Sequence, residues 1–152
     1  MTLNKKIVSS TRIRNLIAEG DLISANELLG RNFAYVSTVV HGDRRGRKLG
    51  FPTANLEIDD KHAMLPNGVY TVKVKVGEKI FSGIANIGDN PTFKVAKRRL
   101  EVFIDNFNSD IYGEEISVSF FEKIREEKIF ASIEELKNQL REDLNTLRRS
   151  NF

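Results

Sequence analysis

The chain contains no cysteine. That excludes a disulfide framework, a thiolate metal centre and a cysteine nucleophile. Histidine is nearly as scarce, with only His41 and His62. Two are too few for a histidine-rich metal site unless carboxylates complete it. No apolar run reaches the roughly 18 residues of a spanning helix. Lys5 and Lys6 are not followed by the apolar stretch of a signal peptide. A cytoplasmic location without membrane contact is the expectation.

What is present suffices for one ordinary domain. A chain of 152 residues buries roughly two thirds of its unfolded surface and needs no covalent staple. Its net charge of +3 hides an asymmetry. Residues 1–100 hold 17 Lys and Arg against 9 Asp and Glu, whereas residues 101–152 hold 7 against 12. A basic front half suits an anionic partner: a nucleotide phosphate, a nucleic acid or a membrane surface. It equally suits solvated faces that differ in sign, so the order of the residues must decide.

Residues 10–30 read as two short helices. Ser10 or Thr11 can cap the first, Ile13, Leu16 and Ile17 form its apolar stripe, and Gly20 ends it. Asp21 can cap the second, which carries Leu22, Leu28 and Leu29 and stops at Gly30. The character then changes. Residues 33–40, 69–76, 79–87, 100–105 and 115–121 are rich in β-branched and aromatic residues and read as strands. In the second, Tyr70, Val72, Val74 and Val76 alternate with Thr71, Lys73 and Lys75. Gly77-Glu78 fits a two-residue type II′ turn into the third. Five or six short strands with no helix between them predict an antiparallel barrel or sandwich. The chain closes with a helix. Ser132 and Glu135 form a capping box, and Ile133, Leu136, Leu140, Leu144 and Leu147 make one apolar stripe expected to pack on the barrel.

Residues 41–55 differ from the rest. Gly42, Gly46 and Gly50 recur every fourth position, with Arg44, Arg45, Arg47 and Lys48 between them. Glycines let the backbone approach a ligand and turn its N–H groups toward an anion. The segment is not a Walker A loop, because no Gly-Lys-Ser/Thr ends it. By spacing alone it suits a polyphosphate, an RNA contact or a solvated hairpin tip. Thr53 and Asn55, in Pro52-Thr53-Ala54-Asn55, are hard neutral oxygen donors suited to Mg²⁺, although the same residues can simply close a turn. In Glu101-Val102-Phe103-Ile104-Asp105, Val102 and Ile104 are expected to face the core. Glu101, Phe103 and Asp105 then share the other face. A carboxylate placed so could be a general base or an exposed strand residue.

In combination these residues resemble the riboflavin kinases. Gly42–Asn55 is similar to that family's nucleotide-binding signature. Leu65-Pro66-Asn67-Gly68-Val69-Tyr70, Gly88-Asp89-Asn90-Pro91-Thr92-Phe93, Leu100-Glu101-Val102, Asp110-Ile111-Tyr112-Gly113, and Arg125 followed by Phe130 match further motifs in the family's order. Val8-Ser9-Ser10-Thr11-Arg12-Ile13-Arg14 resembles the motif that closes the adenylyltransferase module of bacterial bifunctional riboflavin kinase/FAD synthetases. The resemblance implies a six-stranded antiparallel Greek-key barrel with a C-terminal helix. It implies residues 1–30 as a helical remnant of the adenylyltransferase module and 31–152 as the kinase domain. The implied reaction is ATP-dependent phosphorylation of the riboflavin 5′-hydroxyl, giving FMN and ADP, with no FAD expected from this chain alone.

The same resemblance assigns roles. Gly42, Gly46, Lys48, Gly50, Pro52, Thr53 and Asn55 would bind the nucleotide, Thr53 and Asn55 would hold Mg²⁺, and Glu101 would be the base. Asn90, Pro91, Thr92, Arg125 and Phe130 would line or cover the flavin. Two positions depart from the family pattern, where Asp89 replaces a small hydroxyl residue and Phe103 a His or Thr. An adenylyltransferase module is expected N-terminal in the full-length protein, with no nucleic-acid or membrane partner. Two alternatives stay open: a non-catalytic flavin- or nucleotide-binding module, and a nucleic-acid-binding β-barrel.

Overall fold

A computed structural model describes residues 10–40, 53–57, 65–89, 98–107 and 110–150. Its elements in chain order are α1 (Ser10–Glu19), α2 (Leu22–Leu29), β1 (Ala34–Val40), β2 (Thr53–Glu57), β3 (Gly68–Val76), β4 (Lys79–Asp89), β5 (Arg98–Ile104), β6 (Glu115–Arg125) and α3 (Ile133–Ser150). The six strands close into an antiparallel barrel in the order β1-β2-β5-β4-β3-β6. β3, β4 and β5 form a meander, and β6 returns to lie beside β3, which is a Greek key. The expected fold class is the one observed.

Alternation explains the wall. Val72, Val74, Ala85, Ile87, Leu100, Val102, Val118 and Phe120 are fully buried and fill the lumen. Each is flanked by residues that the pleat turns outward. Tyr35 and Tyr70 meet Phe120 edge to face, each with ring centroids 5.5 Å away. Both phenols are tied to the turn that enters β3. The Leu65 amide donates to Tyr35 Oη at 3.0 Å, and Tyr70 Oη donates to the Pro66 carbonyl at 2.6 Å. Burial pushes the Tyr35 phenol up to about 12 and raises that of Tyr70 as well, so both stay neutral.

The helices cover different parts of the barrel. Ile17, Leu22 and Ala25 belong to the lumen core. Asn26 fastens α2 to the barrel, where its Nδ2 donates to the Phe120 carbonyl at 3.2 Å and its Oδ1 accepts from the Phe33 amide at 2.6 Å. Ile13, Leu16 and Ile17 of α1 and Leu22 and Ala25 of α2 thus find their cover on the barrel itself. Asp21 caps α2 as expected, and Gly30 ends it in the left-handed conformation at φ 72°.

α3 lies on the outside of the wall, where Leu144 and Leu147 pack with Val69 and Ile84. Ser132 accepts from the Glu135 amide at 3.2 Å, and the Glu135 carboxylate reaches one residue further back than in an ideal capping box, to the Ala131 amide at 2.8 Å. Only the C-terminal half of the expected stripe is buried. Ile133 is 61% exposed.

Candidate active site

Leu100, Val102 and Ile104 point into the lumen. The pleat therefore turns Arg99, Glu101 and Phe103 outward, as the sequence pattern predicts. Residues directly opposite on antiparallel strands present their side chains to the same side. Glu101 stands opposite Asn55 on β2 and Asn86 on β4. Asn86 stands opposite Val69 on β3, which in turn stands opposite Arg125 on β6. One row, Asn55–Glu101–Asn86–Val69–Arg125, thus crosses five strands on the outer wall. The next row places Thr53 opposite Phe103.

This strip is half sheltered. Asn55 is only 8% exposed, and the Glu101 side chain is 20% exposed. The Arg99 guanidinium lies 2.9 Å from Glu101 Oε1. It is two residues along the same strand and so emerges on the same side. The pair sets a cation beside the carboxylate on the sheltered side of the strand. α3 bounds the strip beyond Asn86, where it covers Val69 and Ile84. At that edge Arg125 donates to both oxygens of buried Asp143, at 2.9 and 2.8 Å. Gln139 donates to the same carboxylate at 3.0 Å. The two-pronged pair locks the end of β6 to α3. The guanidinium of Arg125 is thereby held at the rim of the strip.

The residues after β6 fold back over the wall. Glu127 lies against Gly88, where a Cβ would overlap Glu127 Oε2 and stand 3.0 Å from its Cδ. Gly88 sits opposite Arg99, two positions along from Asn86 on the same side. Burial raises the Glu127 carboxyl above its ordinary value and Asp89 adds to the rise, against Arg99, Arg98 and Arg125. Phe130 is half-buried, and Ile129 beside it is fully exposed.

Of the expected site residues, Thr53, Asn55, Glu101, Arg125 and Phe130 are therefore placed, the first three side by side. Gly42, Gly46, Lys48, Gly50, Pro52, Asn90, Pro91 and Thr92 lie outside the described residues. Thr53 and Asn55 are two apart on β2 and offer a hydroxyl and an amide oxygen on one side. Such hard neutral donors fit a Mg²⁺ that keeps waters and also takes phosphate oxygens. Among the described residues, no three His, Cys, Asp or Glu gather into a metal-binding group. Asn86 and Asp143 escape the sequence reading. Asn86 carries a usable signal, a lone polar side chain within Ile84-Ala85-Asn86-Ile87.

The described strands thus form a small Greek-key β-barrel that carries a carboxylate between two amides on its outer wall. The riboflavin kinase (Flavokinase) family model matches residues 29–151, and the chain belongs to that family. It is similar to the bifunctional riboflavin kinase/FMN adenylyltransferase of Bacillus subtilis (strain 168), with 38% identity over 94% of this chain and 46% of that protein. The chain spans about half the length of the curated relatives it matches. Among solved structures it resembles one described as a macrolide-efflux protein from Streptococcus pneumoniae. The TM-score there is 0.86 and the identity 41%, over 95% of this chain and 47% of that one. A riboflavin kinase from Trypanosoma brucei shares the fold, with a TM-score of 0.56 and 22% identity over 77% and 78% of the two chains. No helix among the described residues is long and apolar enough to cross a membrane.

Proposed function

We propose that the chain transfers the γ-phosphoryl group of ATP to the 5′-hydroxyl of riboflavin, giving FMN and ADP. The observation that carries this reading is the pairing of Glu101 with Asn55, which puts a carboxylate beside the amide that ends the glycine-rich basic segment. In this reading Glu101 accepts the hydroxyl proton as that oxygen attacks the γ-phosphorus, and the bond to the β–γ bridging oxygen breaks to release ADP. Phosphoryl transfer asks mainly for positioning and charge neutralisation. Gly42, Gly46, Lys48, Gly50 and Pro52 cradle the nucleotide, and Thr53 and Asn55 hold Mg²⁺. The bound ion would neutralise phosphate charge. Asn90, Pro91 and Thr92 line the flavin side, and Arg125 and Phe130 belong to the segment that covers the ring.

The helical segment 1–30 is read as the end of an adenylyltransferase module that precedes the kinase in a longer cytoplasmic protein, so FAD is not a product of this chain alone. The test is to incubate the chain with riboflavin, ATP and Mg²⁺ and to separate riboflavin, FMN and FAD by chromatography. FMN without FAD is the expected result. Riboflavin bound but unconverted would mark a non-catalytic binder, and FAD would overturn the reading of residues 1–30.

A further inference from the structure

Asn86 is used by none of the roles above, yet its environment is unusual. Its Oδ1 is a buried side-chain acceptor without a hydrogen-bond partner among the described residues. Buried polar atoms are almost always paired, and an exception calls for an explanation such as a ligand. The residues directly opposite it on the neighbouring strands do not serve it. Val69, on one side, has no side-chain donor, and Glu101, on the other, is a carboxylate. Arg99 is engaged by Glu101 and Arg125 by Asp143.

The position of Asn86 says what would serve it. Resting on the kinase reading, the phosphates lie over β2 at Thr53 and Asn55, and the reacting hydroxyl lies at Glu101 on β5. Attack in line with the leaving oxygen puts the body of the acceptor on the far side of that hydroxyl from the phosphates. The next strand in that direction is β4, about 4.8 Å further across the sheet, and its residue in this row is Asn86. The atoms next to the 5′-hydroxyl of riboflavin are the other hydroxyls of its ribityl chain. We infer that Asn86 is a further substrate-positioning residue, whose amide oxygen accepts a hydrogen bond from a ribityl hydroxyl beside the reacting one. The row then reads, across three strands, phosphate holder, base and acceptor holder.

The test compares the unaltered chain with Asn86→Ala, using flavin fluorescence for riboflavin affinity and initial rates for the two KM values. Losing one ordinary hydrogen bond should weaken riboflavin about 3- to 10-fold, with the KM for ATP unchanged. Riboflavin analogues lacking single ribityl hydroxyls supply the second arm. One of them should bind the unaltered chain more weakly than riboflavin and lose nothing further in Asn86→Ala, because the two changes remove the same contact. Undiminished riboflavin affinity in Asn86→Ala, or a loss confined to ATP, would overturn the assignment. Should that variant not fold, equal binding of every deoxy analogue by the unaltered chain would overturn it instead. A chain that binds riboflavin, shows these losses and makes no FMN would sink the kinase reading while keeping the contact. A chain that does not bind riboflavin at all overturns both.

Discussion

The two faces of the barrel wall are made by the same strands and carry opposite loads. On β5 the inward residues Leu100, Val102 and Ile104 are almost wholly shielded from solvent. The outward residues that alternate with them, Arg99, Glu101 and Phe103, supply a cation, a carboxylate and an aromatic ring. The inner face is apolar, aromatic and closed at one end by α1 and α2, so its residues answer for stability. α3 packs on the outer face at Val69 and Ile84, with Phe103 and Ile124 against the same cluster, and the row through Glu101 keeps the polar groups. The polar row sits where the wall is half sheltered. A charge in the lumen would have no partner, and a charge on a fully open face would be screened by water.

If the division is real, changes on the two faces should be separable. The largest effect is expected inside. Phe120→Ala removes the ring shared by Tyr35 and Tyr70 and should cost about 4 kcal/mol of stability, as large buried aromatics do. Denaturant unfolding would show it. A loss below ~1 kcal/mol would mean that the lumen is not the core.

Next comes the seam between wall and helix. Asp143→Ala leaves Arg125 without its buried partner and should cost about 3 kcal/mol. Arg148→Ala breaks the more exposed pair with Asp105, whose Arg148 side chain is 58% exposed, and should cost less than ~1 kcal/mol. Equal costs for the two would erase the distinction between the edges of α3.

On the outer strip the effect should be kinetic. Glu101→Gln is expected to lower turnover roughly 10²-fold while the unfolding midpoint holds. Near-normal FMN formation would remove Glu101 from the mechanism.

The smallest effect concerns Glu127. Its folded-state carboxyl is raised by burial and by Asp89, so the folded chain keeps a proton that the unfolded chain releases. The stability this contributes is fully present below the ordinary glutamate value and is lost as pH rises through the raised one. Glu127→Gln should flatten that fall. Thermal midpoints taken across the carboxylate range would check it, and an unchanged pH slope would sink it.

Five of the six strands were legible because each pairs alternation with a turn signal. Gly77-Glu78 is one such signal, with Val76 opposite Lys79 across it and Gly77 at φ 62°. β2 carries no strand signal of its own. Thr53 and Asn55 favour turns by themselves, and the alternation of Ala54 and Leu56 spans too few residues to outweigh them. Thr71 belongs by pattern to the solvent side, yet it is 1% exposed on the sheltered part of the outer face. Asp143 falls in a helix rich in charge, and nothing local marks it as the buried one. The neighbourhood of Thr53, Asn55 and Glu101 was suggested by resemblance to a family.

The sequence by itself determined the periods: which residues of each strand face together, where the helices begin and end, and that a basic, glycine-rich segment precedes Thr53. Such features are local, set by backbone geometry and by the solvation of each side chain. Only the tertiary structure decided that β2 and β4 flank β5, so that Asn55, Glu101 and Asn86 form one row. It alone decided that α3 docks on Val69 and Ile84, beside that row. Strand order and helix docking depend on how a closed barrel can bury all its apolar faces at once, a condition on the whole chain that no short window of residues contains.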